Sequence, residues 1–165
     1  MKALSLCQPY AQAICVGLKK FETRSWPCAA AVMGEMIAIH AAKKRDREGL
    51  DLWTQTGQDE IPFTSYGAVV ALVRIVKCWK TEVAREIPGF ISIEEHKWGD
   101  FSAGRWCWQL KLIYVFEDPI PTKGMQGLFG WEIPDWWMEQ AAVKAGMPTM
   151  FDLWKMFKEN EKAEV

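Results

Sequence analysis

The chain has 165 residues, enough for one hydrophobic core with a short appendage, and its net charge of −1 provides no global positive field to draw it to nucleic acid. Half of its residues are apolar and a quarter charged, the balance of a soluble globular protein. No apolar run approaches the roughly 18 residues of a membrane span, no signal peptide is read, and the five cysteines form no C-x-x-C pair. A reduced, cytoplasmic protein with no membrane partner, metal or cofactor is the expectation. Ten tryptophans exceed what one small core needs and favour a partly exposed aromatic surface suited to stacking, although any single ring is more readily read as core.

In chain order, Met1 to Leu6 reads as an extended lead-in. From Pro9 to Leu18 the apolar residues Tyr10, Ala11, Ile14, Cys15 and Leu18 fall on one helical stripe, with Pro9 in the first turn and Gly17 at the stop. Lys20 to Trp26 alternates as a strand, with Glu22 and Arg24 on the face opposite Phe21 and Thr23. Lys19, Glu22 and Arg24 therefore gather near the helix end, as either a salt-bridged surface or the rim of a site.

Glu35 to Ala41 predicts a second strand, ending at His40 on the face opposite Ile37 and Ile39. Lys44 to Gln55 reads as a polar helix, and Lys43, Lys44, Arg45 and Arg47 form a local basic patch. Tyr66 to Trp79 is the most apolar segment and predicts a long central strand. Thr81 to Glu86 predicts a single helical turn, Phe90 to Trp98 is ambiguous, and Gly99 to Gly104 is a turn-rich loop. Arg105 to Phe116 alternates strongly, with Pro119 and Pro121 expected to end it. A glycine-punctuated loop or short strand follows at 123–131, then helices over Pro134–Ala145 and Pro148–Glu159.

The stretch QPYAQAICVGLKKFETRSW resembles the opening of ASCH domains, whose G-x-K-x-x-E-x-R motif is met by Gly17, Lys19, Glu22 and Arg24. Two later blocks, GDFSAGRWCWQL and PIPTKGMQGLFGWE, resemble the closing blocks of small bacterial and phage ASCH proteins, so the likeness runs over 3–132. The resemblance implies an α+β fold, a PUA-like β-barrel of about five or six strands flanked by helices, over residues 1–132. It leaves 133–165 as a C-terminal helical extension packed on or beside the barrel. It also implies a cleft between the first helix and the barrel mouth that takes RNA or a single-stranded or modified nucleic acid. In one branch of the family the cleft hydrolyses N4-acetylcytidine, and another branch has a ribonuclease.

A binding site there needs a basic rim and flat or polar groups for a base. Lys19, Arg24, Lys43, Lys44 and Arg105 are candidates for the rim, Tyr10, Trp26 and Trp106 for stacking, and Gln8, Glu22 and Ser25 for base edges, with His40 nearby. The amidohydrolase branch uses a Lys, a Thr and a Glu. Lys19 stands at the Lys position, but Glu22 replaces the Thr, and Glu94, Glu95 or Asp100 is a stand-in for the Glu without a firm alignment. Lys19 and Glu22 remain the catalytic candidates, with Glu22 as base for a water on an acylated cytidine. The missing hydroxyl favours binding over hydrolysis. A third reading is a protein-interaction module using Trp136, Trp137 and Trp154 of the terminal helices.

Overall fold

The computed structural model describes residues 1–144. Six strands, β1 (Lys2–Gln8), β2 (Phe21–Arg24), β3 (Met36–Arg45), β4 (Ala68–Lys80), β5 (Trp106–Pro121) and β6 (Leu128–Gly130), lie in the order β2-β5-β4-β3-β1-β6. β1 runs parallel to β3 and every other pairing is antiparallel. The α+β class and the strand number agree with the sequence. The hydrogen-bonded ladder is nevertheless open, since its end strands β2 and β6 do not pair.

Curvature comes from irregular pairing. β4 and β5 shift register between Val69 and Ala71, between Leu72 and Val73, and between Ile75 and Lys77. β3 shifts against β4 between Ile39 and His40. Each shift bends and twists the sheet locally. One face of the sheet carries the main core, where Leu4, Ile37, Ile39, Val73 and Trp108 pack beneath Ala11 and Ile14 of helix α1 (Tyr10–Cys15). On the other face Cys107 packs with Phe21, Phe101 and Ala84, the last from α3 (Thr81–Glu86). Neighbouring Trp108 and Cys107 are thus both fully buried, because β5 is covered on both sides at that point.

Several element boundaries differ from expectation for physical reasons. The lead-in is strand β1, flanked by β3 and β6, so it belongs to the sheet interior. The first helix spans only Tyr10–Cys15, with Pro9 at the cap and the chain reversing at Gly17, whose φ of +77° glycine adopts without strain. β3 continues to Arg45, placing Lys43 and Lys44 on a strand, and α2 (Arg47–Thr54) begins after Asp46, whose carboxylate accepts from the Gly49 N–H. The ambiguous 90–98 segment contains α4 (Ile93–His96), capped by the Ser92 hydroxyl. Pro119 and Pro121 do not end β5. Pro121 pairs with Ala68 of β4, and Pro119 lies in the register shift just before it, both beyond the reach of β2 on a stretch whose outer edge needs no N–H donor.

The chain divides into two units, Met1–Trp131 and Glu132–Val165. The described part of the second contains α5 (Asp135–Lys144), the first of the two expected terminal helices, with Trp136 half exposed. The helix expected at Pro148–Glu159, with Trp154, lies outside the described residues. No helix among the described residues is long and apolar enough to cross a membrane.

Trp108 is the largest fully buried side chain, and its indole N–H has no hydrogen-bond partner among the described residues. Replacing it should therefore cost packing and no polar contact. Trp108→Ala is expected to lower unfolding free energy by about 3–5 kcal/mol and Trp108→Phe by about 1–2 kcal/mol. Urea titration followed by far-ultraviolet circular dichroism distinguishes the two.

Candidate functional site

Two short sequences meet where α1 hands over to β2. After α1 the N–H groups of Leu18 and Lys19 both donate to the Ala13 carbonyl, which turns the chain and sends the Lys19 side chain inward. Lys19 is only 3% exposed, and its ammonium donates to the carbonyls of Phe21 (2.6 Å) and Trp98 (2.7 Å) while facing Glu22 Oε2 at 3.2 Å. Two hydrogen bonds and one ion pair thus surround the ammonium. An ammonium taken out of water needs such saturation, since an unpaired buried charge is strongly destabilising.

Glu22 is held from its other side by Arg24, whose Nε approaches Oε1 at 2.9 Å. That contact is an ion pair; the N–H is not aligned for a hydrogen bond. Arg24 also donates from Nη2 to the Ser5 carbonyl at 3.2 Å, tying β2 to β1. The lysine, the glutamate and the arginine of the motif are thus one network, not a free surface cluster.

A third segment locks the turn. Glu95 of α4 is buried and accepts the N–H groups of both Lys20 and Phe21 at 2.9 Å. Burial pushes its carboxyl upward, opposed by those two N–H bonds. Its oxygens are spent on backbone, so Glu95 positions the motif.

Around this network lies a cavity of about 410 Å³, with Lys19, Glu22 and Arg24 at its floor, Tyr10 and Trp98 among its walls, and Ser5 at one end. The two rings meet edge to face at 6.5 Å, and Trp98 packs likewise on Trp53 of α2. Tyr10 donates its hydroxyl to Asp46 Oδ1 at 3.1 Å, and burial, reinforced by that carboxylate, pushes the phenol up to about 12. The lining mixes both signs: Lys19, Arg24 and Lys97 against Glu22, Asp46 and Asp100. Thr23 reaches the same lining although it alternates away from Glu22, because its hydroxyl oxygen accepts from the Asp100 N–H beside Gly99.

A second cavity, of about 770 Å³, opens beside the first along the β1–β3 seam and contains His40, Lys43 and Lys123. His40 Nε2 lies 3.0 Å from the Thr122 carbonyl, which only accepts, so Nε2 carries the hydrogen. Nδ1 is left as acceptor for the Ser5 hydroxyl at 3.0 Å. Burial holds the imidazole below its usual range, partly opposed by the Thr122 bond.

The remaining expected site residues are dispersed. Gln8 is fully buried, donating to the Ser65 carbonyl and accepting from the Gln12 N–H, and is corrected from a base reader to a tie between β1 and α1. Trp26 packs edge to face on Trp108 at 4.7 Å, at the core's margin. Trp106 lies beneath Lys80, and Arg105 pairs with Asp100. Ser25, Trp26, Lys44, Arg105 and Trp106 line neither cavity. The sequence passed over Trp98, Ser5 and Asp46; the only signal for Trp98 was its place immediately before the Gly99–Leu110 block. Among the described residues no cluster of three or more His, Cys, Asp or Glu is placed to hold a metal.

The family model for the ASCH domain matches residues 4–140. The chain belongs to the ASCH family. Its structure is similar to the crystal structure of ASCH from Zymomonas mobilis, at 14% identity, covering 86% of this chain and 94% of that one, with a TM-score of 0.47. Two single-residue mutants of that Zymomonas mobilis protein are similar at 15% and 16% identity, TM-scores 0.44 and 0.48, covering 86% of this chain and 96% and 94% of theirs. No curated protein matches.

Two outcomes test the geometry. Lys19→Met strands two carbonyls and half of a buried ion pair, and is expected to cost about 3–5 kcal/mol in chemical denaturation. His40 has a depressed folded value, so its stabilising contribution is present above its ordinary value of 6.5 and is lost as the pH falls from there toward the folded value. Melting temperatures measured between pH 7.5 and 5 should fall more steeply in the parent than in His40→Gln.

Proposed function

We propose that this ASCH domain is a nucleic-acid-binding module that takes one base of RNA, or of a single-stranded or modified strand, into the cavity between α1 and the sheet. The observation that carries this reading is the buried Lys19–Glu22–Arg24 network at the floor of a cavity of about 410 Å³. That volume falls in the range of small-ligand sites, roughly 300–1,000 Å³. Desolvated charges fixed by their neighbours give directional contacts without further ordering cost.

Lys19 donates to two carbonyls and pairs with Glu22, so its role is to hold Glu22 and the Trp98 carbonyl in place. Glu22, still bordering the cavity, offers acceptor lone pairs, which suit a base edge rich in N–H such as an exocyclic amino group. Arg24 offers its outer N–H groups to a carbonyl of the same base. Tyr10 supplies aromatic surface along the wall, backed by the buried ring of Trp98. The mixed lining and the net charge of −1 match a short footprint; a long duplex asks for many phosphate contacts.

No observation favours hydrolysis of an acylated cytidine. The ammonium that would activate a nucleophile is committed to carbonyls, and the Glu22 oxygens already face a lysine and an arginine. The thiols of half-buried Cys15 and of buried Cys28 and Cys107, pushed up to about 12, 11 and 11 chiefly by desolvation, are not nucleophiles at neutral pH. All five cysteines are unpaired, which suits work in a reducing, cytoplasmic setting.

Glu22→Gln keeps the shape of the site and swaps half of its acceptor for a donor. It should weaken binding of short single-stranded oligonucleotides by roughly 5- to 150-fold, the value of one well-placed base contact. Fluorescence anisotropy measures this, with circular dichroism confirming the fold. Undiminished affinity in Glu22→Gln and Arg24→Ala together would remove the cavity from the account.

A further inference from the structure

The second cavity differs in character from the first. Its lining contains Lys43 and Lys123 and not one carboxylate, whereas acids and bases alternate around the network. Neither lysine forms an ion pair with any described residue, and both are exposed. Two unneutralised ammonium groups around one concavity call for an anion.

The local backbone is shaped to keep that concavity. Gly67 adopts φ +67°, which glycine takes without strain, and the stem of Lys43 packs over it, Cε lying 2.8 Å from where a Cβ would stand. Gly67 also donates to the Ala41 carbonyl at 2.7 Å and accepts from the Thr122 N–H at 2.9 Å, fastening β3 to the residue that follows β5. Opposite, a Cβ on Gly124 would collide with the His40 ring and come within 2.9 Å of Ser5 Oγ. The Lys123–Gly124 segment therefore lies tight against the Ser5–His40 pair, holding Lys123 at the cavity.

Ser5 is the one residue common to the two linings. Its hydroxyl hydrogen is given to His40 Nδ1, which leaves its oxygen lone pairs as acceptors at the junction. A base on the Glu22 side, a sugar hydroxyl at Ser5 and an anion on the lysine side follow the order of groups in a nucleotide. We infer that the two cavities form one bipartite nucleotide site, with the base held by the Glu22–Arg24 floor, the ribose against Ser5, and a phosphate between Lys43 and Lys123. This rests on the base-binding reading above and adds the ligand's second half. The phosphate belongs either to a free nucleotide, as a monoester, or to the backbone of a strand, as a diester, and both present anionic oxygens to the lysines.

The test compares, by calorimetry on the full chain at low salt, the four ribonucleosides, their 5′-monophosphates and the corresponding dinucleotides. The phosphate is expected to tighten binding by roughly tenfold or more, the worth of charge-assisted contacts from two lysines. A gain with the monophosphates assigns the phosphate to a free nucleotide; a gain with dinucleotides alone assigns it to a strand. In Lys43→Ala/Lys123→Ala the ratio of phosphorylated to unphosphorylated affinity should fall to near one, and in Lys43→Arg/Lys123→Arg it should recover. Nucleosides that bind while phosphate adds nothing, or a gain that survives the double alanine variant, would overturn the bipartite site and leave the base cavity standing. Binding of none of these ligands would overturn both.

Discussion

The structure around the motif depends on one buried ammonium. Lys19 lies inside the protein because three acceptors from two segments converge on it: the Phe21 carbonyl and Glu22 of β2, and the Trp98 carbonyl. Through those contacts the lysine joins the turn after α1, the start of β2 and the loop after α4. Glu95 repeats the join from the other side by capping Lys20 and Phe21. A charge in this position would be costly alone, and its full set of partners makes it a clamp that admits one arrangement of the surrounding backbone.

That clamp explains how a chain of nearly neutral net charge can still hold a polar cavity. Long-range attraction is weak, so specificity has to come from fixed groups at short range. Glu22 is fixed by Lys19 and Arg24, Arg24 by the Ser5 carbonyl, and Tyr10 by Asp46. The same β1 strand that receives Arg24 carries Ser5 toward His40, so the first cavity is continuous in its supports with the second. The sheet's irregular registers assist by placing neighbouring residues of one strand on differently curved surfaces.

Much of this was legible in local sequence. The motif Gly17, Lys19, Glu22, Arg24 announces a helix stop followed by charges on one strand face, and the structure brings those three charges together. Long strands were evident from Val69 to Val76 and from Trp106 to Phe116, because β-branched and aromatic runs have few other uses. What escaped were features set by distant partners. Nothing in Trp98 or Ser5 taken alone marks a cavity wall; each acquires that role by pairing with a segment far along the chain. Gln8 carried the opposite error, since its polar side chain suggested a ligand contact while tertiary packing turned it to Ser65. The sequence reads Lys44 as the start of a helix and leaves Lys43 beyond the strand, because periodicity cannot tell where β3 stops and Asp46 caps the next element.

In the proposed binding mode a ligand's base rests on the floor formed by Glu22 and Arg24. Amide chemical-shift mapping during titration with a short single-stranded oligonucleotide tests it most directly. The account predicts that the largest shifts fall at Ser5, Tyr10, residues 19–24 and residues 97–100, with the outer face of α3 unaffected. Shifts concentrated elsewhere, on α3 or α5 with those residues unmoved, would contradict it.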